Sequence, residues 1–103
     1  MPLQINVAAK DTGSKVTVAG EVDVSNASEL RDALKKAMVQ HTGDVAVDMA
    51  DVSYIDSTGI GVLVGAAHAA FDKGTKLIIQ KPQSNVERVL DLLGIEDQLN
   101  IEH

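Results

Sequence analysis

The chain has 103 residues, 15 acidic against 9 basic for a formal charge of −6, no cysteine, and Tyr54 and Phe71 as its only aromatics apart from histidine. This length bounds it to one domain with one core, residues 1–103, large enough to fold without staples. The missing cysteines exclude disulfides and thiolate metal sites, and an acidic, aromatic-poor chain lacks the basic patch and stacking platforms of a direct nucleic-acid binder.

Leu3, Ile5 and Val7 alternate with Gln4, Asn6 and Ala8, the period of a half-buried strand. Asp11-Thr12-Gly13-Ser14 supplies a turn, and Val16 and Val18 resume the alternation, so a hairpin is expected. Met1 to Asn6 has neither a basic start nor an apolar core, and no signal peptide is expected. Beyond Asp23 the period turns helical, with Ala27, Leu30, Leu34, Ala37 and Met38 on one stripe. Asn26 and Glu29 have capping-box spacing, which sets the helix start, and Gly43 is expected to end the helix. Val45, Val47 and Met49 predict a third strand.

Ser57 to Phe71 predicts a second helix, apolar nearly all round, with His68 its one polar residue from Ile60 onward. Such a helix is either deeply buried or presented to a partner. Burial is the expectation, with Gly65, Ala66, Ala69 and Ala70 permitting close packing. Its apolar run from Ile60 to Ala67 is far short of the ~20 residues a membrane span needs, so a soluble protein without a span is expected. Lys76 to Gln80 predicts a fourth strand. Ser84 and Glu87 form another capping-box pair, Val86, Val89, Leu90 and Leu93 line a third helix closed by Gly94, and Leu99 and Ile101 suit a short last strand.

The order ββαβαβα(β) predicts an α/β fold. Its sheet is mostly parallel, with an antiparallel N-terminal edge strand and the helices packed mainly on one face. Thr17, Asp48, Lys76 and Gln80 are expected on or near the less covered face. Loops leaving the C-terminal ends of parallel strands gather along one edge, where ligands usually bind. Three segments meet there: Gly20-Glu21-Val22-Asp23, Asp51 through Gly61, and Lys81-Pro82-Gln83-Ser84.

Ser57 stands where a loop turns into a helix. It is either the N-cap, its hydroxyl accepting from a free amide, or a phosphoacceptor, since a phosphate is stabilised by free N–H groups and the helix dipole. Gly59 and Gly61 either permit close helix–sheet packing or keep bulk away from that hydroxyl. The stretch Asp56-Ser57-Thr58-Gly59-Ile60-Gly61-Val62-Leu63 resembles the phosphorylation motif of STAS-domain anti-sigma factor antagonists. Gly20-Glu21-Val22-Asp23, with Ser28-Glu29-Leu30-Arg31 after it, is similar to that family's second signature, and the similarity runs over essentially the whole chain.

The resemblance implies a non-enzymatic, cytoplasmic protein switch. The unphosphorylated antagonist binds an anti-sigma factor, usually a serine kinase with an ATP-binding fold, and frees a sigma factor. The kinase phosphorylates the serine, here Ser57, and ends the association; a metal-dependent serine phosphatase resets it. Gly20, Glu21 and Asp23 are implied as partner surface, together with Asp56, Ser57, Thr58, Gly59 and Gly61. Asp56 either positions the hydroxyl or is a solvated turn acid. The chain stops soon after Ile101, so the short last helix of many relatives is expected to be missing. A scaffold subunit of a transporter or signalling complex, with the same fold and no phospho-switch, is the alternative.

Other chemistries fit poorly, and no catalytic residue, metal or cofactor is expected. His68 lies about 16 Å along the helix from Ser57, while His41 and His103 belong elsewhere, so no serine-hydrolase triad assembles. Gly59-Ile60-Gly61 opens a helix, yet Val64 takes the third glycine position of a dinucleotide fingerprint. A phospho-aspartate receiver needs an acidic pair after its first strand, where Ala8-Ala9-Lys10 stands instead.

Overall fold

The computed structural model describes residues 3–102; Met1, Pro2 and the tail residue His103 lie outside the described residues. β1 (Gln4–Lys10) and β2 (Gly13–Val22) pair antiparallel around Asp11 and Thr12, as the alternation predicts. Asp11 adopts a left-handed φ of 55°, which aspartate tolerates better than most residues. There follow α1 (Ala27–Gln40), β3 (Val45–Ile55), α2 (Ser57–Asp72), β4 (Leu77–Gln80), α3 (Ser84–Leu92), a 3-10 turn (Glu96–Gln98) and β5 (Asn100–Glu102). The sheet order is β1-β2-β3-β4-β5, and every pair after the first is parallel.

The register accounts for the one-sided helical layer. Val16, Val47, Ile79 and Ile101 stand abreast on neighbouring strands, and Thr17, Asp48, Gln80 and Glu102 form the next row, facing the other way. The first row joins Leu30 and Leu34 of α1, Leu63 of α2, and Val86 and Leu90 of α3 in one continuous core. Each parallel crossover adds its strand on the same side, so right-handedness delivers every helix to the same face. Leu30, Leu34, Leu63 and Leu90 are fully buried, each contributing about 1.5–3 kcal/mol by leaving water. The polar row is half-covered: Lys15 pairs with Asp48 at 3.6 Å, and Gln80 Nε2 donates to Glu102 Oε1 at 3.0 Å.

The third strand is longer than its alternation predicts. Against β2, β3 carries an extra residue between the Thr17 and Ala19 pairs and another between the Gly20 and Glu21 pairs. Its core residues therefore fall at Val45, Val47, Met49, Val52 and Ile55, the spacing widening from two to three. The amide of Ala50, displaced at the first irregularity, donates to Asp48 Oδ1 at 3.0 Å.

The helix ends differ from the capping expectations. Asn26 does precede α1, but its side chain makes no cap bond and no capping box with Glu29 forms. Its amide is committed elsewhere: Oδ1 accepts from Asp23 N–H and Nδ2 donates to Glu21 C=O, both at 2.9 Å. Gly43 does not end α1, because His41 is the C-cap with an extended backbone. Glycine is required at 43 for another reason, since a Cβ there would lie 2.4 Å from Thr12 Oγ1 in the hairpin turn. Gln83, not Ser84, is the N-cap position of α3, and no side-chain cap bond forms there. Gly94 ends α3 as predicted, with φ 66° and its amide bonded to Asp91 C=O.

Candidate functional site

Two of the three predicted segments meet at the edge where β2 and β3 end, while Lys81–Ser84 reaches β3 lower down, because β4 stops at Gln80, level with Asp48. Backbone bonding starts the assembly: Asp56 N–H donates to Val22 C=O at 3.0 Å. Gln83 Nε2 then donates to Ala50 C=O and Asn85 Nδ2 to Ser53 C=O, each at 2.8 Å. These carbonyls belong to the irregular half of β3, so the approach to α3 satisfies acceptors that the extra residues displace from the ladder.

Asp56 is the centre of this edge. It is the N-cap of α2, replacing Ser57 in that role, with Oδ1 accepting from Gly59 N–H at 3.0 Å. Its other oxygen, Oδ2, accepts from Val24 N–H at 3.1 Å, across 32 residues of sequence. One half-buried carboxylate thus starts a helix and clasps the β2–α1 loop, which excludes the solvated-turn reading. Ser57 becomes the first residue of α2 and is exposed; among the described residues its hydroxyl has no partner. The opening amides of α2 point along the helix axis toward this edge, the donors and dipole end that stabilise negative charge.

Asp23 is held within its own loop. Its Oδ1 accepts from Ser25 N–H at 2.9 Å and from Ser25 Oγ at 2.5 Å. The Ser25 hydroxyl, and next its backbone amide, hold the Asp23 carboxyl below the usual carboxylate range. Its backbone carbonyl accepts from the amides of Asn26 and Ala27, so Asp23 also shapes the turn into α1.

The remaining predicted positions divide by exposure. Glu21 is exposed and sits in register with Tyr54, and Thr58 is exposed beside Ser57. Gly20 is half-buried at φ 119°, beside the second β3 irregularity, a backbone shape that side-chain-bearing residues rarely adopt. Gly59 is buried: a Cβ there would lie 2.6 Å from Val22 Cγ1 and 2.8 Å from Ile55 Cγ1. Its role is helix–sheet packing, not surface. Gly61 and Gly65 are exposed with open space where a Cβ would stand, so close packing explains neither, and α2 is buried along one face only.

Val24, 76% exposed, and Tyr54, 48% exposed, flank the same edge and were not singled out by sequence patterning. The three-residue step from Val52 to Ile55 is the signal that turns Tyr54 away from the core.

The chain shares this architecture with known regulators. A family model described as STAS domain matches residues 4–103. The anti-sigma-B factor antagonist of Staphylococcus epidermidis is 35% identical over 101 residues, covering 98% of this chain and 94% of that protein. The anti-sigma-B factor antagonist of Bacillus subtilis (strain 168) is 32% identical over 101 residues, covering 98% and 92%. The chain belongs to the STAS domain family, within its group of anti-sigma factor antagonists. In fold it superposes on the anti-sigma factor antagonist SpoIIAA in its unphosphorylated form with a TM-score of 0.80, covering 97% of this chain and 89% of that one at 17% identity. Among the described residues, no helix is long and apolar enough to cross a membrane.

Proposed function

We propose that this protein is a cytoplasmic, non-enzymatic anti-sigma factor antagonist, switched by phosphorylation of Ser57. The unphosphorylated form binds an anti-sigma factor that is also a serine kinase with an ATP-binding fold, and so frees a sigma factor. Phosphate on Ser57 ends that association, and a metal-dependent serine phosphatase restores it. The partner surface is the edge bearing Glu21, Asp23, Val24, Tyr54, Ser57 and Thr58, with Gly20, Asp56 and Gly59 shaping it from beneath.

The observation that carries this reading is the exposed, unpartnered Ser57 at the first position of α2, beside a carboxylate already committed to capping. A phosphate there adds about −1.5 to −2 charges. In the free domain the helix N-terminus and solvent accommodate the added charge without refolding. In the complex the dianion must be desolvated beside Asp56. A like-charge contact at about 4 Å costs about 4 kcal/mol at an effective dielectric of about 20, and about 3 kcal/mol already lowers affinity on the order of a hundredfold.

The test is a kinase assay with the cognate anti-sigma factor and ATP, read by intact mass. One added phosphate is expected, and none on Ser57→Ala, which should bind the anti-sigma factor and stay bound with ATP present. Phosphate incorporation into Ser57→Ala, at Thr58 for example, contradicts the assignment.

A further inference from the structure

Between α1 and α2 runs a groove of about 390 Å³ that the reading of Ser57 does not use. Leu34 and Met38 line it from α1, and Val62 and Ala66 from α2. It is open because Gly61 and Gly65 lack side chains: beyond the adjoining backbone of α2 itself, no heavy atom lies within 4 Å of where either Cβ would stand. Neither glycine has a positive φ. Glycine inside a helix weakens it relative to alanine, so the open floor is retained against helix propensity.

The charge of the groove is the second observation. The chain carries a formal charge of −6, yet no acidic residue lines this groove, while Arg31 and Lys35 do. They are four residues apart and share one side of α1. Arg31 Nε also lies 3.5 Å from Asp32 Oδ1, but both side chains are more than half exposed, and such pairs hold weakly. Both helices begin at the Ser57 edge, so Arg31 and Thr58 stand at that end and Met38 and Ala69 at the other. Thr58 to Ala69 spans about 16 Å at helical rise. The groove is polar and cationic at the Arg31–Thr58 end, with Lys35 one turn further along α1, and its lining is apolar from there to Met38 and Ala69, where Lys73 Nζ donates to Met38 C=O just outside it.

We propose that this groove binds an anionic amphiphile, a single unbranched hydrocarbon chain with a carboxylate-type head. The head lies among Thr58, Arg31 and Lys35, and the chain follows Gly61 and Gly65 toward Met38 and Ala69. The volume falls in the small-molecule range of about 300–1,000 Å³. One helical turn, about 10 Å wide and 5.4 Å long, already occupies on the order of 400 Å³. A docked partner helix, which needs anchors over two turns, is therefore a poorer fit than one flexible chain. The site adjoins Ser57 through Thr58, but its test needs no kinase and stands apart from the phospho-switch.

The test is a titration of the ¹⁵N-labelled chain with sodium decanoate below its micellar concentration, followed by amide shifts. Saturable shifts are expected at Arg31, Met38, Gly61 and Gly65, with decanol and decyltrimethylammonium binding at least about tenfold more weakly. Arg31→Gln with Lys35→Gln should weaken decanoate about tenfold, to the level of decanol. Gly65→Leu should fill the groove, raise the thermal midpoint and remove binding; Ala69→Leu serves the same purpose should the first variant not fold. Absence of saturable groove shifts, unchanged binding by the filled variant, or equal affinity for the cationic amphiphile would each overturn the proposal.

Discussion

Removal of the Asp56 carboxylate tests the structural basis of the functional edge. Asp56→Ala deletes two bonds at once, the cap to Gly59 N–H and the clasp to Val24 N–H. Loss of an N-cap costs about 1 kcal/mol, within about 0.5–2. The Val24 bond is exposed to solvent, so it counts for about 0.5–1.5 kcal/mol despite the charge on its acceptor. Together the loss is about 1.5–2.5 kcal/mol, and at about 4–6 °C per kcal/mol for a domain of this size the midpoint falls by roughly 6–15 °C. Asp56→Asn separates the two bonds. Asparagine caps as well as aspartate, but its one acceptor oxygen cannot serve both amides, so about half the loss is expected. Thermal denaturation gives the midpoints, and native-state hydrogen exchange reports each amide: Val24 should lose protection in both variants, Gly59 only in the alanine variant. A midpoint within about 2 °C of wild type for Asp56→Ala, or an asparagine variant as unstable as the alanine one, would refute the two-bond account.

Two glycines on one helix should respond with opposite sign. Gly59→Ala forces a methyl to within 2.6 Å of Val22 Cγ1 and 2.8 Å of Ile55 Cγ1, costing about 1–3 kcal/mol, whereas Gly61→Ala meets nothing and should gain about 0.5–1 kcal/mol; urea denaturation orders them. Gly20→Ala should lose about 1–3 kcal/mol from its φ of 119° alone, and a stability equal to wild type would show that the backbone there relaxes freely. Glu96 titrates above its ordinary value, first because it shares a hydrogen bond with the Asp91 side chain, then through partial desolvation and the neighbouring acids. Its ionised form is thus disfavoured in the fold: the penalty is absent where both states are protonated, develops as pH rises toward the raised value, and is full at neutral pH. Glu96→Gln should therefore raise the thermal midpoint at neutral pH and leave it unchanged at about pH 3; a gain confined to acid would reverse the sign.

Much of the fold was legible because local pattern and tertiary environment agree. The β1–β2 hairpin, the stripe of α1 and the closing Gly94 each depend on residues within a few positions of one another, and the structure keeps them. The polar row Thr17, Asp48 and Gln80 was legible for the same reason, since a one-sided sheet preserves alternation. The caps were less so. Asn26, Ser57 and Ser84 are all competent caps, but the first is taken by Glu21 and Asp23, and the other two stand one residue inside their helices. Nothing local distinguishes Asp56 as a clasp, because its second donor lies 32 residues away. The open outer face of α2 was hidden by composition: glycine and alanine suit close packing, and only the position of α1 shows that Gly61 and Gly65 face a groove instead.

The two extra residues in β3 give this edge a strict length requirement. Along β2 the strand advances five residues from Thr17 to Val22, while β3 advances seven from Asp48 to Ile55, and only that surplus brings Asp56 level with the Val22 carbonyl. A deletion anywhere from Ala50 to Tyr54 would shorten β3 by one position, in a stretch exposed at every residue but Val52. Yet it would exchange inward for outward at each residue between the gap and Ser57, pulling the helix start away from Val24 and uncoupling both ends of the clasp. This segment tolerates changes of side chain far better than changes of length, so a one-residue gap here would do more damage than several substitutions at exposed Ser53 or Asp51.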